Sequence, residues 1–390
     1  MPDLVDRVRR RLAGRESGVT AAAVAEAVRA EAAGVLGDHD VLAALTLLEQ
    51  EFVGAGPLEP LLRDPAVTDV LVTAPDQVWV DGAQGLRRSA VRFADEDAVR
   101  SLAQRLAMAA GRRLDDAQPF VDGWLPHGPT GGRVRVHAVL APVAAAGTCL
   151  SLRVLRPATH DLAALAASGT IDAEVHRVLV AVVRARLAFL VTGGTGSGKT
   201  TLLAGLLGQV PAGERVVCVE DAGELHPDHP QFIRLIARPP NVEGAGAVTL
   251  RDLVRQALRM RPDRIVVGEV RGAEVCDLLM ALNTGHDGGA GTVHANSPAE
   301  VPARLEALAA LGGLSRPALH SQLSAAIQVV LHMQRHPAGP RRLVEIALLD
   351  RTPSTTTTTT VWRNGTWHPA RRALEALLAA PASAEGCERT

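Results

Sequence analysis

The stretch GGTGSGKTT, from Gly193 to Thr201, contains Lys199, the single lysine among the 41 lysine and arginine residues of the chain. Gly193, Gly198, Lys199 and Thr200 fit the pattern G-x-x-x-x-G-K-[ST], in which glycines let backbone N–H groups turn toward phosphate. The apolar run LAFLVT precedes the stretch, and the helix-like run TTLLAGLLGQV follows it. This order predicts a nucleotide-binding loop in an α/β domain, with a structural glycine turn as the alternative.

The loop contains most of the predicted contacts to ATP and Mg²⁺. Lys199 is expected to reach the β- and γ-phosphates, and the Thr200 hydroxyl is expected to ligate Mg²⁺. An ammonium is compact, whereas a guanidinium is a wide planar fork, so we predict that arginine cannot replace lysine here. The predicted nucleotide-binding residues of the loop are Gly193, Gly194, Thr195, Gly196, Ser197, Gly198, Lys199, Thr200 and Thr201.

Acidic residues follow two further apolar runs. VCVEDAGEL places Glu220 at the end of one predicted strand, and RIVVGEVRG places Glu269 at the end of another. The carboxyl ends of parallel strands face the ligand crevice, so both acids are expected beside the phosphates. Glu220 is the candidate for orienting or deprotonating the attacking water, with a solvated acidic turn as the alternative. Glu269 is the candidate for holding Mg²⁺ together with Thr200, directly or through water.

Two histidines lie in the glycine-rich run NTGHDGGAGTVHAN, namely His286 and His294. Their spacing indicates no metal site. Residue type alone leaves a structural role and a functional role open for both.

The hydrophobic pattern divides the chain into five parts. Residues 1–53 have helical spacing, 54–156 read as a smaller α+β domain, and 157–166 as a linker. Strand and helix alternate over 167–350, which predicts an α/β domain with a mainly parallel sheet. Residues 351–390 are predicted to be a low-complexity tail with a hairpin turn at Asn364-Gly365. Two predicted helix starts have capping-box spacing, Thr249 with Asp252 and Ser297 with Glu300.

Composition bounds the function classes. The chain has 41 basic and 42 acidic residues, so it lacks the positive excess expected of a protein that coats nucleic acid. No apolar window is long and uncharged enough for a membrane span, and the N-terminus has no apolar signal core, so we expect a cytoplasmic protein. The four cysteines form no CxxC pair and are expected to be reduced thiols.

The sequence resembles the type II/type IV secretion ATPase superfamily, and most closely its tight-adherence branch, the Tad or Flp pilus assembly ATPases. The resemblance runs from about Phe52 to Asp350. Four boxes in this order carry it: GGTGSGKTT, VEDAGEL, LRMRPDRIVVGEVRG and TGHDGGAGTVHANSP. The stretch GAGPLEPLLRDPAVTDVLV is also similar to the opening of the family's N-terminal domain.

The resemblance implies a fold and a set of site roles. It implies a RecA-like motor domain that clamps MgATP together with the smaller N-terminal domain. Glu220 would be the catalytic acid, Glu269 the Walker B acid and His294 a sensor on the γ-phosphate side. Four other residues are also expected to contribute to the ATP site. They are His286 and Arg271, and, from the N-terminal domain, Arg135 and Arg153.

The resemblance further implies a hexameric ring whose ATP hydrolysis powers pilus assembly or secretion across the inner membrane. The partners would be inner-membrane platform proteins, which would hold the ring at the inner face of the membrane, and direct nucleic-acid binding is not expected. A DNA-transfer motor of the same superfamily is one alternative. A nucleotide-dependent scaffold with little turnover is another.

Overall fold

The computed structural model describes residues 7–8, 11–12, 21–32, 54–82, 84–125, 133–155, 161–241, 243–336, 339–350 and 355–380. The chain divides into two compact units, residues 1–156 and 157–390. Within the predicted helical extension, a helix spans Ala21–Ala32 (α1), and most of the remainder lies outside the described residues. Part of the predicted linker, 157–160, also lies outside them, and a short helix begins directly after it.

The first unit is built on a six-stranded antiparallel sheet in the order β3-β2-β1-β6-β5-β4. Apolar and polar residues alternate along its strands, as in β5, where Val134, Val136 and Ala138 are buried. The strands are Val67–Ala74 (β1), Gln77–Gly82 (β2), Arg87–Arg88 (β3), Phe120–Leu125 (β4), Arg133–Val139 (β5) and Cys149–Leu155 (β6).

Two helices of this unit join the sheet in one apolar core, Glu59–Arg63 (α2) and Glu96–Ala109 (α3). Asp95 caps α3, because its carboxylate accepts a hydrogen bond from the N–H of Ala98. Leu102 and Leu106 are on the buried face of α3.

The second unit is built on a nine-stranded sheet in the order β15-β14-β13-β12-β7-β11-β10-β8-β9. The six strands from β12 to β9 are parallel, and β13 to β15 continue the sheet as an antiparallel meander. The strands are Phe189–Thr192 (β7), Val216–Glu220 (β8), Phe232–Ile236 (β9), Arg264–Val270 (β10), Ala290–Val293 (β11), Val329–Arg335 (β12), Arg341–Leu349 (β13), Thr358–Arg363 (β14) and Thr366–Trp367 (β15).

Helices cover both faces of this sheet. In β7, Phe189 and Val191 pack into one apolar cluster and Leu190 into the other, so a central strand is buried on both sides. One face holds Leu162–Ala167 (α4), Ala173–Arg184 (α5), Lys199–Leu207 (α6) and Arg371–Ala379 (α11). The other face holds Leu250–Ala257 (α7), Glu274–Leu282 (α8), Val301–Leu311 (α9) and Arg316–Ala326 (α10).

The segment predicted as a low-complexity tail with a hairpin turn contains that hairpin, and it also adds strands to the large sheet. Residues 358–363 pair with β13, so the sheet continues beyond residue 350. Threonine is β-branched and favours strands, which is why this low-complexity run adopts one. The turn at Asn364-Gly365 joins β14 to β15, with φ of 47° and 85° at the two residues, as a two-residue hairpin turn requires. No helix within the described ranges is long and apolar enough to cross a membrane.

Candidate nucleotide-binding site

The glycine loop connects the end of β7 to the start of α6. Gly193 has φ of 144°, and a β-carbon there would lie 2.3 Å from the carbonyl oxygen of Met333. Gly198, immediately before the helix, has φ of 95°. Ser197 is buried and its hydroxyl donates to the Gly194 carbonyl at 2.9 Å. The backbone path therefore requires glycine at both ends of the loop, and it leaves the N-terminus of α6 facing the space that the loop encloses.

Lys199 lies inside this loop. Its side chain is 8% exposed, and Nζ donates to the carbonyl oxygens of Gly193 at 3.0 Å and Gly194 at 2.9 Å. Burial lowers the pKa of the ammonium, while the Glu269 and Glu224 carboxylates act in the opposite direction. The single lysine is therefore packed against the loop backbone, in the space where phosphate oxygens would offer it stronger acceptors.

His294 links Lys199 to the acid at the end of β10. His294 Nε2 lies 3.5 Å from Lys199 Nζ and 2.7 Å from Glu269 Oε1. Burial lowers the pKa of the imidazole, the Lys199 charge lowers it further, and Glu269 opposes both. Three residues from three separate stretches of sequence thus meet at one edge of the sheet, at the carboxyl ends of β7, β10 and β11.

Glu220 ends β8 at the same edge and is 4% exposed. Its carboxylate accepts backbone hydrogen bonds from Leu225 at 3.1 Å and Glu224 at 3.2 Å. Burial is the largest cause that raises its pKa to about 7, and the Glu224 charge adds to it. A carboxylate with this pKa can accept a proton near neutral pH, as a general base must.

Gly268 is the reason why the Glu220 side chain fits there. A β-carbon on Gly268 would lie 2.6 Å from Glu220 Cγ and 3.0 Å from its Oε1. The Gly268 carbonyl also accepts a hydrogen bond from the Thr292 hydroxyl at 2.6 Å. The glycine of the VVGEV run therefore makes room for the acid of the neighbouring strand.

Arg271 connects the two acidic stretches. Its guanidinium forms an ion pair with Asp221, the residue after β8, and lies 3.8 Å from Glu269 Oε2. The positive charge partly offsets the two carboxylates at this edge. Arg271 therefore lies within the cluster of predicted site residues.

His286 lies apart from the cluster. It precedes β11, whereas His294 follows it, and the carbonyl of Gly289 between them accepts a hydrogen bond from the N–H of Phe189 at the start of β7. The His286 ring hydrogen-bonds the carbonyl of Ala281, near the end of α8. The prediction that His286 contacts the same nucleotide as Lys199 is at odds with this placement, because a full strand separates the two edges of the sheet.

Arg135 and Arg153 belong to the first unit and lie next to each other. They are directly opposed on β5 and β6. Arg135 holds the Asp122 carboxylate with two hydrogen bonds of 2.8 and 2.7 Å, and Arg153 pairs with Asp69 at 2.8 Å. Their predicted contribution to an ATP site stays a prediction.

The sequence reasoning missed His332, an isolated histidine in the apolar strand β12. It is 7% exposed, and Nδ1 lies 2.8 Å from the Thr192 hydroxyl, directly before the glycine loop. Its ring also hydrogen-bonds the backbone of Asn296, two residues after His294, and burial lowers its pKa. His332 therefore ties the entry of the loop to the segment that positions His294.

A cleft of about 440 Å³ borders the loop on the His294 side. Its lining includes Gly193, Gly194, His294, Asn296 and Arg304. Within the described part of the chain, no group of three or more His, Cys, Asp or Glu residues could hold a metal ion by itself. Thr200 and Glu269 would thus hold Mg²⁺ only together with ligands from a bound nucleotide, which is the usual chemistry of this ion.

Comparison with known proteins gives a consistent result. The family model described as "Type II/IV secretion system protein" matches residues 51–365. The chain is 68% identical over 329 residues to "Putative conjugal transfer protein Rv3659c" of Mycobacterium tuberculosis H37Rv, covering 84% of this chain and 94% of that protein. It is 30% identical over 326 residues to type IV secretion system protein PtlH of Bordetella pertussis, covering 76% and 94%.

The solved structure of the Legionella pneumophila ATPase DotB is similar in fold. The TM-score is 0.53 at 20% identity, and the match covers 74% of this chain and 78% of that chain. A likeness at this identity concerns architecture alone, and it confirms the predicted α/β fold.

Proposed function

The chain belongs to the type II/IV secretion system protein family, and from this premise we propose that it is a motor ATPase. It binds MgATP at the glycine loop and uses hydrolysis to power assembly of a Tad or Flp-type pilus or a related secretion machine. The observation that carries the proposal is the convergence of Lys199, Glu220, Glu269 and His294 at one edge of the sheet.

Nucleotide binding follows from the loop. Backbone N–H groups and the N-terminus of α6 supply partial positive charge to the phosphates. Lys199 exchanges its contacts with the Gly193 and Gly194 carbonyls for charged phosphate oxygens, which are stronger acceptors. Thr200 and Glu269 hold Mg²⁺, which neutralises charge on the phosphates when bound.

Hydrolysis requires a group that orients water and accepts its proton. In this proposal Glu220, with a pKa of about 7, takes the proton while the water oxygen bonds to the γ-phosphorus and the bond to ADP breaks. His294 lies between Lys199 and Glu269, so loss of the γ-phosphate changes the charge that faces its ring. The proposed sensor role rests on that position.

Purified full-length protein tests the nucleotide site. The wild type should bind a fluorescent ADP analogue, and Lys199→Ala should weaken that affinity by at least about tenfold because it removes a charged phosphate contact. Equal affinity of the two proteins would contradict the proposal at its base.

The proposed working form is a hexameric ring held at the cytoplasmic face of the inner membrane by platform proteins. Family membership supports this part of the proposal. Sedimentation of the purified chain with and without MgATP tests the ring, and a monomer under both conditions at micromolar concentration would contradict it.

A DNA-transfer motor is the second candidate, and the name of the 68% identical relative favours it. The balanced charge of the chain, 41 basic against 42 acidic residues, favours a protein substrate instead. A strain carrying Lys199→Ala separates the two candidates. Loss of surface filaments with normal DNA transfer supports the pilus motor, and the reverse result supports the DNA-transfer motor. A Glu220→Gln strain with normal filaments would support the nucleotide-dependent scaffold instead.

A further inference from the structure

The hairpin formed by β12 and β13 packs directly against the glycine loop. β12 runs parallel to β7, so its end emerges at the same edge of the sheet as the loop. The Met333 carbonyl oxygen would lie 2.3 Å from a β-carbon on Gly193, and Met333 Cε 3.3 Å from one on Gly198. β12 therefore lies against both glycines, with its backbone at Gly193 and the Met333 side chain at Gly198.

Two arginines of this hairpin lie on the loop. A β-carbon on Gly198 would lie 3.3 Å from Arg341 Cδ and 3.7 Å from Arg341 Cβ. A β-carbon on Gly196 would lie 3.8 Å from Arg335 Nη1. Arg335 and Arg341 are directly opposed in the register of the hairpin, so their side chains share one face, the face toward the loop.

Arg341 differs from two other arginines of the same sheet, which pair with carboxylates. On β14, Arg363 pairs with Glu345 at 2.7 Å, and at the start of β10, Arg264 pairs with Glu214 at 2.7 Å. Among the residues that the structure describes, Arg341 has no hydrogen-bond or ion-pair partner for its side chain. Its stem lies against Gly198, and within the described ranges its guanidinium pairs with no carboxylate.

We propose that Arg335 and Arg341 bind the nucleotide phosphates, supplied by the same chain that supplies the glycine loop. The inference rests on the proposed nucleotide site. Gly196 and Gly198 belong to the part of such a loop that cradles the α- and β-phosphates. A guanidinium presents a planar fork that matches two phosphate oxygens. The pair therefore recognises the diphosphate common to ADP and ATP, and it retains ADP after hydrolysis.

This arrangement divides the positive charges by shape. The compact ammonium of Lys199 lies within the loop, where it is nearly buried, and the two arginine side chains approach the loop from the hairpin. Neither arginine lies in one of the four sequence boxes that carry the family resemblance.

Affinity for a fluorescent ADP analogue tests the proposal on the full chain. Arg341→Gln and Arg335→Gln should each raise the Kd for ADP about tenfold, as loss of a charge-assisted hydrogen bond does. Arg341→Lys should fall between the wild type and Arg341→Gln. Arg342→Gln is the matched control, because Arg342 is adjacent on β13 and pairs with Gln334 on the opposite face of the hairpin. It should bind ADP within about twofold of the wild type.

Three outcomes separate this proposal from the proposed function. If Lys199→Ala binds ADP as the wild type does, the nucleotide site itself is wrong. If Lys199→Ala loses affinity while Arg341→Gln and Arg335→Gln bind ADP like Arg342→Gln, this inference alone is overturned. Two results together support the inference. The three arginine variants should have equal melting temperatures without nucleotide, and ADP should raise the melting temperature less for Arg341→Gln and Arg335→Gln than for Arg342→Gln.

Discussion

Lys199 donates hydrogen bonds to the carbonyls of Gly193 and Gly194, and its Nζ lies 3.5 Å from His294 Nε2. A guanidinium at this position would carry the same charge but needs a wider planar space. Lys199→Arg should therefore lower ATP turnover by about tenfold or more, although the substitution keeps the positive charge. Steady-state phosphate release measures it. Turnover within twofold of the wild type would show that the glycine loop can accommodate arginine at this position.

Glu220 gives the nucleotide-free protein a pH-dependent stability. Its folded-state pKa of about 7 lies above the ordinary 4.5, so the fold favours its protonated form. This contribution is complete below pH 4.5 and is lost as the pH rises through 7, at a cost of up to about 3 kcal/mol. Glu220→Gln should therefore gain melting temperature relative to the wild type between pH 5 and pH 8. A difference in melting temperature that does not change with pH would contradict the raised pKa of the buried Glu220 carboxyl.

The site residues that could be predicted from the sequence share a local pattern. Glu220 and Glu269 follow apolar strands, and Lys199 lies between a strand and a helix, so parallel pairing is enough to bring them to one edge. His286 has no such signal, because it precedes its strand. Arg335 and Arg341 could not be predicted, because only the long-range pairing of β12 with β7 brings their hairpin to the loop.

The fit between β8 and β10 depends on Gly268, which has no side chain. Gly268→Ala would place a methyl carbon 2.6 Å from Glu220 Cγ and displace its carboxylate. Turnover should fall by about tenfold or more while ADP affinity stays near the wild-type value, because the loop is not touched. Gly213→Ala is the matched control, since no atom of the described residues lies within 4 Å of a β-carbon there. Equal turnover of the two variants would contradict the role of Gly268.

The start of α7 depends on a reciprocal cap. The Thr249 hydroxyl accepts from the N–H of Asp252 at 3.2 Å, and the Asp252 carboxylate accepts from the N–H of Thr249 at 3.0 Å. Thr249→Ala should lower the free energy of unfolding by about 1 kcal/mol, whereas Thr249→Ser should stay close to the wild type. Denaturant melts measure both. An unchanged midpoint in Thr249→Ala would indicate that the cap contributes nothing.

The two predicted capping boxes had different outcomes. The box at Thr249 and Asp252 is confirmed. The box at Ser297 and Glu300 was wrong, because Ser297 makes no side-chain cap and a 3₁₀ turn, Pro298–Glu300, comes first. Glu300 instead accepts hydrogen bonds from the backbone and side-chain N–H groups of Asn296. Spacing predicts a cap only where the chain enters the helix without an intervening turn.

Across the second unit, the alternation of strands and helices in the sequence was sufficient to predict a mainly parallel sheet. It could not predict strand order, because the order depends on contacts between distant segments. The strand β14, within a threonine-rich run, pairs with β13 and extends the sheet. The run was interpreted by its low complexity, although its threonines are β-branched and favour a strand.

In the proposed mechanism, this chain hydrolyses ATP with Glu220 as the base. The most direct measurement is steady-state phosphate release from MgATP at pH 8, comparing the wild type with Glu220→Gln, with ADP affinity measured in parallel. We predict that the wild type turns over and that its rate falls as the pH drops through 7. Glu220→Gln should bind nucleotide normally and lose about 100-fold or more of the turnover. Wild-type turnover by a Glu220→Gln protein that binds nucleotide normally would contradict the claim.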